Sequence, residues 1–547
     1  MKKLILLLFI VLATAAGIIY YKNWRNDLLR KKIPQLVFLK SDSLYRITYD
    51  DVDVDEIEGE IHIKNLQLKP DTTYKKPGDS TLPRDLLQVT VPEVHITGVK
   101  TDSAVLNKQV IATKIMLNNP IVTMFSNHHG PRSKDITPTK DKIYEVLLRG
   151  LESIKVDTIM ITNADYHICR WPFGDTLFSG STINAHLYHI NISDSTSMDT
   201  SRILFAQHAV LTIKKVSLRG RNPMYHYRFN DIEINSGERI FAVKSMNITP
   251  LLGEAAFVKA SKWQTDRLDF SLSNLHFKQV QIPELLNGNL IADELSVNNA
   301  RFRVFRDKSY PSKNISRVGT YPFQLFAKLP VEVFLKKVII QHAFIEYKEK
   351  EPQTGHSGVV TFDDAHAIMQ NVTNRPADLR RNAVCTLNFT SQFLNKVPLS
   401  ATLKFYLNSK NGKFTANGTV GAVDATIFNP LSKPMALVQI NSCKISHLDF
   451  QLTCDDYKAN GSVRLLYDDL KVKLLKMDDS DGGMKVKKVT SLLANMSIIN
   501  SNPIKKQPVR IATVSHHRNI YASMYNLIWK SIFEGVQKTI GLNGAIP

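Results

Sequence analysis

A segment near the start of the chain returns 180 residues later with its apolar alternation intact. Tyr45 to Pro70 reads YRITYDDVDVDEIEGEIHIKNLQLKP, and Tyr225 to Pro250 reads YHYRFNDIEINSGERIFAVKSMNITP. Without a gap, Asp51 falls on Asp231, Val52 on Ile232, Val54 on Ile234, Ile63 on Val243, Leu66 on Met246, Leu68 on Ile248 and Pro70 on Pro250. The same offset recurs where VIATKIMLNNPIVTMF (Val110 to Phe125) meets LIADELSVNNARFRVF (Leu290 to Phe305), with Asn118-Asn119 over Asn298-Asn299. Further on, IKVDTIMITNADYHI resembles LKKVIIQHAFIEY at an offset of 179, each near an apolar, helix-like stretch (YEVLLRGLESI; FQLFAKLPVEVF). Two copies of a unit about 180 residues long lie head to tail, so the fold is one that can be built twice.

Within each copy apolar residues alternate, as a half-buried strand requires, and Gly, Pro, Asn and Asp punctuate the runs. The alternation slips once: Ile61 and Ile63 are odd, Leu66 and Leu68 even, and Val243 and Met246 repeat the slip. A one-residue phase change turns the apolar set to the other face unless a β-bulge absorbs it, so bulges are expected near Lys64-Asn65 and Lys244-Ser245. Long, bent, amphipathic strands make a curved sheet with one apolar face. Few helices are available to cover that face, which leaves a second sheet or a lipid.

The stretch YDDVDVDEIEG (Tyr49 to Gly59) invites a calcium reading. A D-x-D-x-D-G loop needs Gly at its sixth place and a bidentate Glu at its twelfth, and those places hold Glu56 and His62. Because Asp53 and Asp55 fall on Glu233 and Asn235 in the second copy, the acids read as the solvated face of a strand. No metal site and no cofactor are expected.

Over 547 residues, 70 basic and 50 acidic side chains give +20 and a pI near 9.5. That excess suits anionic lipid surfaces or nucleic acid, but the lysines are scattered and no nucleic-acid motif is present, so no nucleic-acid partner is expected. Hydrophobic content of 43% with mean hydropathy −0.15 excludes a disordered or polytopic chain. Cys169, Cys385, Cys443 and Cys454 have no C-x-x-C spacing and read as free thiols or at most one bridge.

At the N-terminus Lys2 and Lys3 precede an apolar run from Leu4 to Tyr21, which at 18 residues is long enough to span a bilayer. The run continues through Gly17, Ile18 and Ile19, which favours an uncleaved signal-anchor; cleavage after Ala13-Thr14-Ala15 is the alternative. Lys22, Arg25, Arg30, Lys31 and Lys32 would hold the following side in the cytosol by the positive-inside rule. A long following domain, however, translocates largely regardless of charge, and export is expected.

The C-terminal third reads GTVGAVDATIFNPLSKPMALVQINSCKISHLDFQLTCDDYKANGSVRLLYDDLKVKLLK from Gly418. Asp424 is followed by Phe428-Asn429-Pro430-Leu431, then Ile445 to Phe450, then Gly461-Ser-Val and Tyr467-Asp-Asp-Leu470. This pattern resembles the C-terminal region of the AsmA-like family, most closely over residues 415–476, with Cys443 standing where a Gly is common. The anchor and repetitive β-rich body resemble the rest of that family's layout. The resemblance implies a Gram-negative envelope protein, single-pass in the inner membrane through residues 4–21 with its body in the periplasm. Its β-groove would bind or conduct phospholipid and contribute to outer-membrane biogenesis, in the manner of bridge-like lipid transfer proteins. The expected fold is mostly β: two tandem repeats of a long, curved, antiparallel β-unit with an amphipathic groove, an N-terminal transmembrane helix and a C-terminal amphipathic helix. The divisions expected are a transmembrane signal-anchor (1–22), a basic juxtamembrane segment (23–40), β-repeats (41–220 and 221–400), an AsmA-like C-terminal β region (401–515) and the helix (516–547). Val52, Val54, Ile61, Ile63, Leu66, Leu68, Ile232, Ile234, Val243, Met246 and Ile248 are the expected groove lining.

In that last segment Ile520, Met524, Leu527, Ile528, Ile532, Phe533, Val536 and Ile540 recur at helical spacing, and packing on the end of the β-body is the expected use of the stripe. His516-His517 and His128-His129 are adjacent pairs that cannot share a strand face, and both read as loop features. No G-x-S-x-G elbow, phosphate loop or H-E-x-x-H motif occurs, and the pairs Asp363-Asp364 and Asp468-Asp469 read as solvated faces. No catalytic residue and no enzyme activity are expected. The alternative function is a β-rich envelope scaffold that binds polypeptide partners through sheet edges.

Overall fold

The structure, a computed structural model, describes residues 44–71, 85–100, 108–126, 152–171, 174–197, 199, 201–203, 205–219, 224–477, 484–487 and 498–542, with Pro34 and Phe38. Of these residues 60% lie in strands and 13% in helices. The expected membrane segment, Leu4 to Tyr21, lies outside the described residues. No described helix is long and apolar enough to cross a membrane.

The chain divides into two compact units, Met1–Met246 with Lys278–Gly288 and Asn247–Phe277 with Asn289–Pro547. The division falls inside the expected second repeat, 221–400.

Strands of the first unit are β1 (Tyr45–Thr48), β2 (Asp51–Asp55), β3 (Glu60–Pro70), β4 (Asp85–Thr97), β5 (Gln109–Asn118), β6 (Ile121–Ser126), β7 (Ser153–Arg170), β8 (Thr176–Ile192), β9 (His208–Arg219) and β10 (Tyr225–Asn235). They form one continuous ladder. β1 and β2 lie on β3, β3 pairs β4, and β4 pairs the collinear β5 and β6. β5 and β6 both run parallel to β7, and β7 to β10 continue antiparallel. The expectation of an antiparallel unit is therefore corrected to a mixed one. Parallel neighbours need a crossover of a dozen or more residues, and the chain between Ser126 and Ser153 is long enough to be one.

After β11 (Ile240–Pro250), the second copy repeats this plan. Its strands are β12 (Arg267–Lys278), β13 (Leu290–Asn298), β14 (Ala300–Asp307), β15 (Val333–Lys350) and β16 (Ser357–Thr373). β12 pairs β14, and the collinear β13 and β14 both run parallel to β15, which pairs β16. β7 and β15 are both 18 residues long, and each lies beside a broken strand whose break is an asparagine in the left-handed region, Asn119 (φ 52) and Asn299 (φ 64). The following left-handed residues correspond too: Asn163, Thr182 and His189 in the first copy, His342, Asp364 and Asn371 in the second. Register shifts fall at matching places, between Ile161 and Ala164 and between Ile340 and Ala343. Such shifts bend and twist a strand.

At Lys64-Asn65 the phase change is present but its form differs from the expectation. Lys64 pairs Glu93 and Leu66 pairs Val91, so the register is unbroken and left-handed Asn65 (φ 50) lies opposite Pro92. Both strands switch phase together, which keeps Ile61, Ile63, Leu66 and Leu68 on one face without an inserted residue. In the second copy neither Lys244 nor Ser245 is left-handed. That role falls to Asp231 (φ 50) on β10, held by Lys214 Nζ at 2.6 Å.

The second unit continues through β17 (Val384–Phe393), β18 (Val397–Tyr406), β19 (Phe414–Val420), β20 (Val423–Asp424), β21 (Val438–Cys454), β22 (Lys458–Met477), β23 (Met484–Val486) and β24 (Ala512–His517). These are all antiparallel, running β16, β17, β18, β19, β21, β22 and β24, with β20 on β21 and β23 on β22. The C-terminal helix is shorter than expected, Met524–Thr539, with Ser523 accepting from the Asn526 N–H as its cap. It packs on β22 and β24 through Met524, Leu527, Ser531, Gly535 and Thr539. A Cβ on Gly535 would lie 2.4 Å from Val463, so only glycine permits this approach. Buried Ser531 and Thr539 donate to the Leu527 and Gly535 carbonyls. The apolar stripe flanks this seam: Ile528, Ile532, Phe533, Val536 and Ile540 are half-buried. His516-His517 are corrected from a loop to the end of β24, with His516 Nδ1 3.0 Å from Glu534 Oε2. His128-His129 lie outside the described residues.

Candidate functional site

The expected groove residues meet two environments. In the first copy Ile61 and Ile63 are 2% and 1% exposed, and with Leu66 and Leu68 they join one cluster that includes Val89, Val94, Ile115 and Ile159. Val52 and Val54 pack half-buried against it. In the second copy Val243 is buried, while Ile232, Ile234, Met246 and Ile248 are half-buried.

The second unit opens the corresponding face further. Register places Phe270, Phe302, Ile345, Phe362 and Phe393 side by side across β12, β14, β15, β16 and β17. The next row is Leu268, Val304, Tyr347 and Val360. Phe270 and Phe302 meet edge to face at 5.8 Å, and the Phe362 and Phe393 rings lie 5.3 Å apart, tilted at 53°. Phe270, Phe302, Ile345 and Phe362 are half-buried, and Leu268 is 36% exposed. β12 to β22 belong to one ladder, and on it these large apolar side chains stay only half-buried.

One end of the strip is charged. Arg306 donates twice to Asp266, both at 2.7 Å, Tyr347 donates to Glu349 at 2.5 Å, and Lys308 Nζ lies 2.6 Å from Glu349. Burial alone would lower the Arg306 pKa, but Asp266, Tyr347 and Glu349 outweigh it and raise it. Burial, then Glu349, pushes the Tyr347 phenol up, so it stays protonated as a donor. The result is an apolar strip with a polar terminus.

The residues behind the C-terminal resemblance are structural. Asp424 accepts from the Thr426 N–H and hydroxyl and caps the short helix Ala425–Phe428. Asn429 donates to the Ile440 carbonyl at 2.8 Å and accepts from its N–H at 2.7 Å, pinning the helix Asn429–Ala436 to β21. Nearby, Arg518 and Asp456 form an ion pair with side chains 1% and 3% exposed, and Arg518 lies 4.3 Å over the Tyr321 ring. All four cysteines are free; burial pushes the Cys385 thiol up to about 11 and Cys443 and Cys454 to about 12, which keeps them unreactive.

Two histidine–carboxylate groups also assemble. His62 and His95 are register partners on β3 and β4, on the face opposite Ile61 and Ile63, with Glu60 beside them. On β15 and β16, His342 Nδ1 lies 2.8 Å and His366 Nε2 3.3 Å from the same Asp364 oxygen. The His342 contact, and the weaker one from His366, hold Asp364 below the usual carboxylate range; Asp363 and Asp364 lie within β16, where Asp363 accepts from the Thr361 hydroxyl at 2.7 Å. Neither group was legible by spacing: His62 and His95 are brought together only by register. The aromatic row was partly in view, since Phe302 lies in the repeated segment, but its partners Ile345 and Phe362 are again fixed by register.

No protein-family model matches this chain, and no curated protein matches it.

Proposed function

We propose that this chain is an AsmA-like, membrane-anchored envelope protein that binds or conducts phospholipid along the apolar face of its β-units and so contributes to outer-membrane biogenesis. In this reading the body lies in the periplasm and Leu4 to Tyr21 is the anchor. The observation that carries it is the strip of Phe270, Phe302, Ile345 and Phe362, large apolar side chains set in register on one face and left half-buried there. An exposed apolar strip of this kind marks a binding site for something apolar. Acyl chains would lie along the aromatic rows, and a headgroup would rest at the charged end near Arg306 and Lys308.

The test is full-length protein purified in mild detergent, with bound lipid extracted and weighed against Phe302→Asp. Phospholipid should accompany the native protein and be depleted in the variant, whose far-ultraviolet dichroism should be unchanged, because a carboxylate in the acyl path opposes the bound chain. Protein without associated phospholipid, or equal lipid on both, would overturn the reading and favour the scaffold with open sheet edges.

A further inference from the structure

Glu60, His62 and His95 converge on the solvent side of β3 and β4, away from the apolar cluster. The β3–β4 register puts His62 directly opposite His95, and their ring centroids are 3.7 Å apart with planes inclined at 33°. Glu60 shares that face with His62, two residues along the strand. Its Oε2 lies 3.8 Å from His62 Nε2 and 3.7 Å from His95 Nε2, and the three ligand atoms lie within 4.8 Å of one another. These separations are too long for hydrogen bonds.

The His95 Nε2 atom is enclosed and has no hydrogen-bond partner. A buried polar atom without a partner is unfavourable, and it calls for something that fills the gap. A carboxylate oxygen and two imidazole nitrogens are a donor set for zinc-class ions. At metal–ligand distances of about 2.0–2.2 Å in a tetrahedron, neighbouring donors stand about 3.3–3.6 Å apart. Glu60 reaches both histidines to within a small side-chain rotation of that spacing. The His342–Asp364–His366 group lacks this feature: its two closest nitrogens already meet the carboxylate at 2.8 and 3.3 Å, which makes it an ion-paired cluster.

We propose that Glu60, His62 and His95 bind one divalent transition-metal ion of the zinc class. Both imidazoles coordinate through Nε2, and the carboxylate coordinates through Oε2. The fourth position is left to water or to Asp53, the register partner of His62 on β2. The ion clips β3 to β4 on the outer face and supplies the missing partner of His95.

The experiment uses tag-free, full-length protein stripped with a chelator and titrated with Zn2+ by calorimetry and with Co2+ by visible absorption. The expected result is one saturable equivalent, a rise in Tm with Zn2+, and the intense d–d bands of tetrahedral Co2+. His95→Gln, and separately His62→Gln, should abolish the bands and the Tm rise, whereas His342→Gln with His366→Gln should leave both unchanged. Should the His95 variant fail to fold, Glu60→Gln decides by a loss of affinity with unchanged far-ultraviolet dichroism. Absence of saturable binding, or binding indifferent to His62, His95 and Glu60, overturns the proposal.

Discussion

The two copies carry one pattern and bury it differently. In the first, Val89 and Val122 are register partners 2% and 0% exposed, with Tyr166 next across the sheet. In the second, the corresponding row is Phe270, Phe302 and Ile345, all half-buried. At two of the three positions phenylalanine in the second copy stands half-buried where valine in the first is buried, the reverse of what burial alone would select, while Tyr166 and Ile345 are both half-buried. Alternation decides which face of a strand is apolar; what covers that face is decided by the rest of the fold. The first copy spends its apolar face on a packed core and the second leaves it accessible.

A charge placed on each copy should break this comparison most severely if it is wrong. Ile63→Asp puts an unpaired carboxylate into the first-copy cluster and should remove at least about 3 kcal/mol in urea melts, enough to unfold that unit. Ile232→Asp, on a half-buried site, should cost about 1 kcal/mol or less and instead reduce bound lipid. Equal destabilisation by the two would mean the second-copy face is a core as well.

The second unit holds the same contrast within itself. Arg518 and Asp456 are paired in its closed C-terminal part, whereas Arg306 and Asp266 sit at the end of the open strip with side chains 18% and 29% exposed. Arg518→Met strands a buried carboxylate and should cost about 3–5 kcal/mol. Arg306→Met should cost about 1–2 kcal/mol, because water can reach Asp266. Thermal denaturation of both variants tests the ordering.

Where the copies agree, the cost should agree too. Asn119→Val and Asn299→Val each force a β-branched residue into the left-handed region and should lose about 1–3 kcal/mol. The glycine variants should be nearly neutral. A large difference between the two valine variants in urea melts would show that the kink is built differently in each copy.

How much of this was legible in the sequence follows from where the information lies. The duplication, the strand content and the phase change at Asn65 are local patterns, and they were readable from Ile61, Ile63, Leu66 and Leu68. The parallel pairing of β5 and β6 with β7 was not, because nothing in the alternation of Val110 to Phe125 distinguishes a hairpin partner from a crossover partner. Equally hidden were the aromatic row and the Glu60–His62–His95 group: the row's members, and His95 relative to Glu60 and His62, are separated by tens of residues and joined by register. The burial difference between the copies was hidden for a third reason: Ile63 and Val243 look alike until their surroundings are known.

Acid titration should separate the copies by a smaller margin. The hydrogen bond and charge of Lys214, with Lys244 nearby, hold Asp231 below the usual carboxylate range. A depressed folded pKa contributes stability that is complete above the unfolded value near 3.8 and lost as pH falls through the folded one. Asp231→Asn should therefore lower stability slightly at neutral pH and flatten its decline below about pH 4. An unchanged acid limb in pH-dependent melts would remove the ion pair from the account.

The smallest effect belongs to the first-copy counterparts. Asp51, Asp53 and Asp55 are exposed on β2, facing Lys64, His62 and Glu60 across the ladder. Asp51 stands 3.8 Å from Lys64 with both side chains more than half exposed, a pair worth little in water. Asp55 accepts from the Ile57 and Glu58 N–H groups at 2.9 and 3.0 Å, which turns the chain toward left-handed Gly59 (φ 68), and an asparagine oxygen accepts the same two bonds. Replacing all three with Asn should thus leave Tm unchanged, and equally so with calcium or with a chelator. The geometry argues for this outcome: alternate carboxylates on one straight strand spread along its face, whereas a calcium loop must wrap its oxygens around a single point. A Tm rise with calcium that the triple variant abolishes would mean the strand gives way to a loop when the ion binds, and the solvated-face reading of these acids would fail.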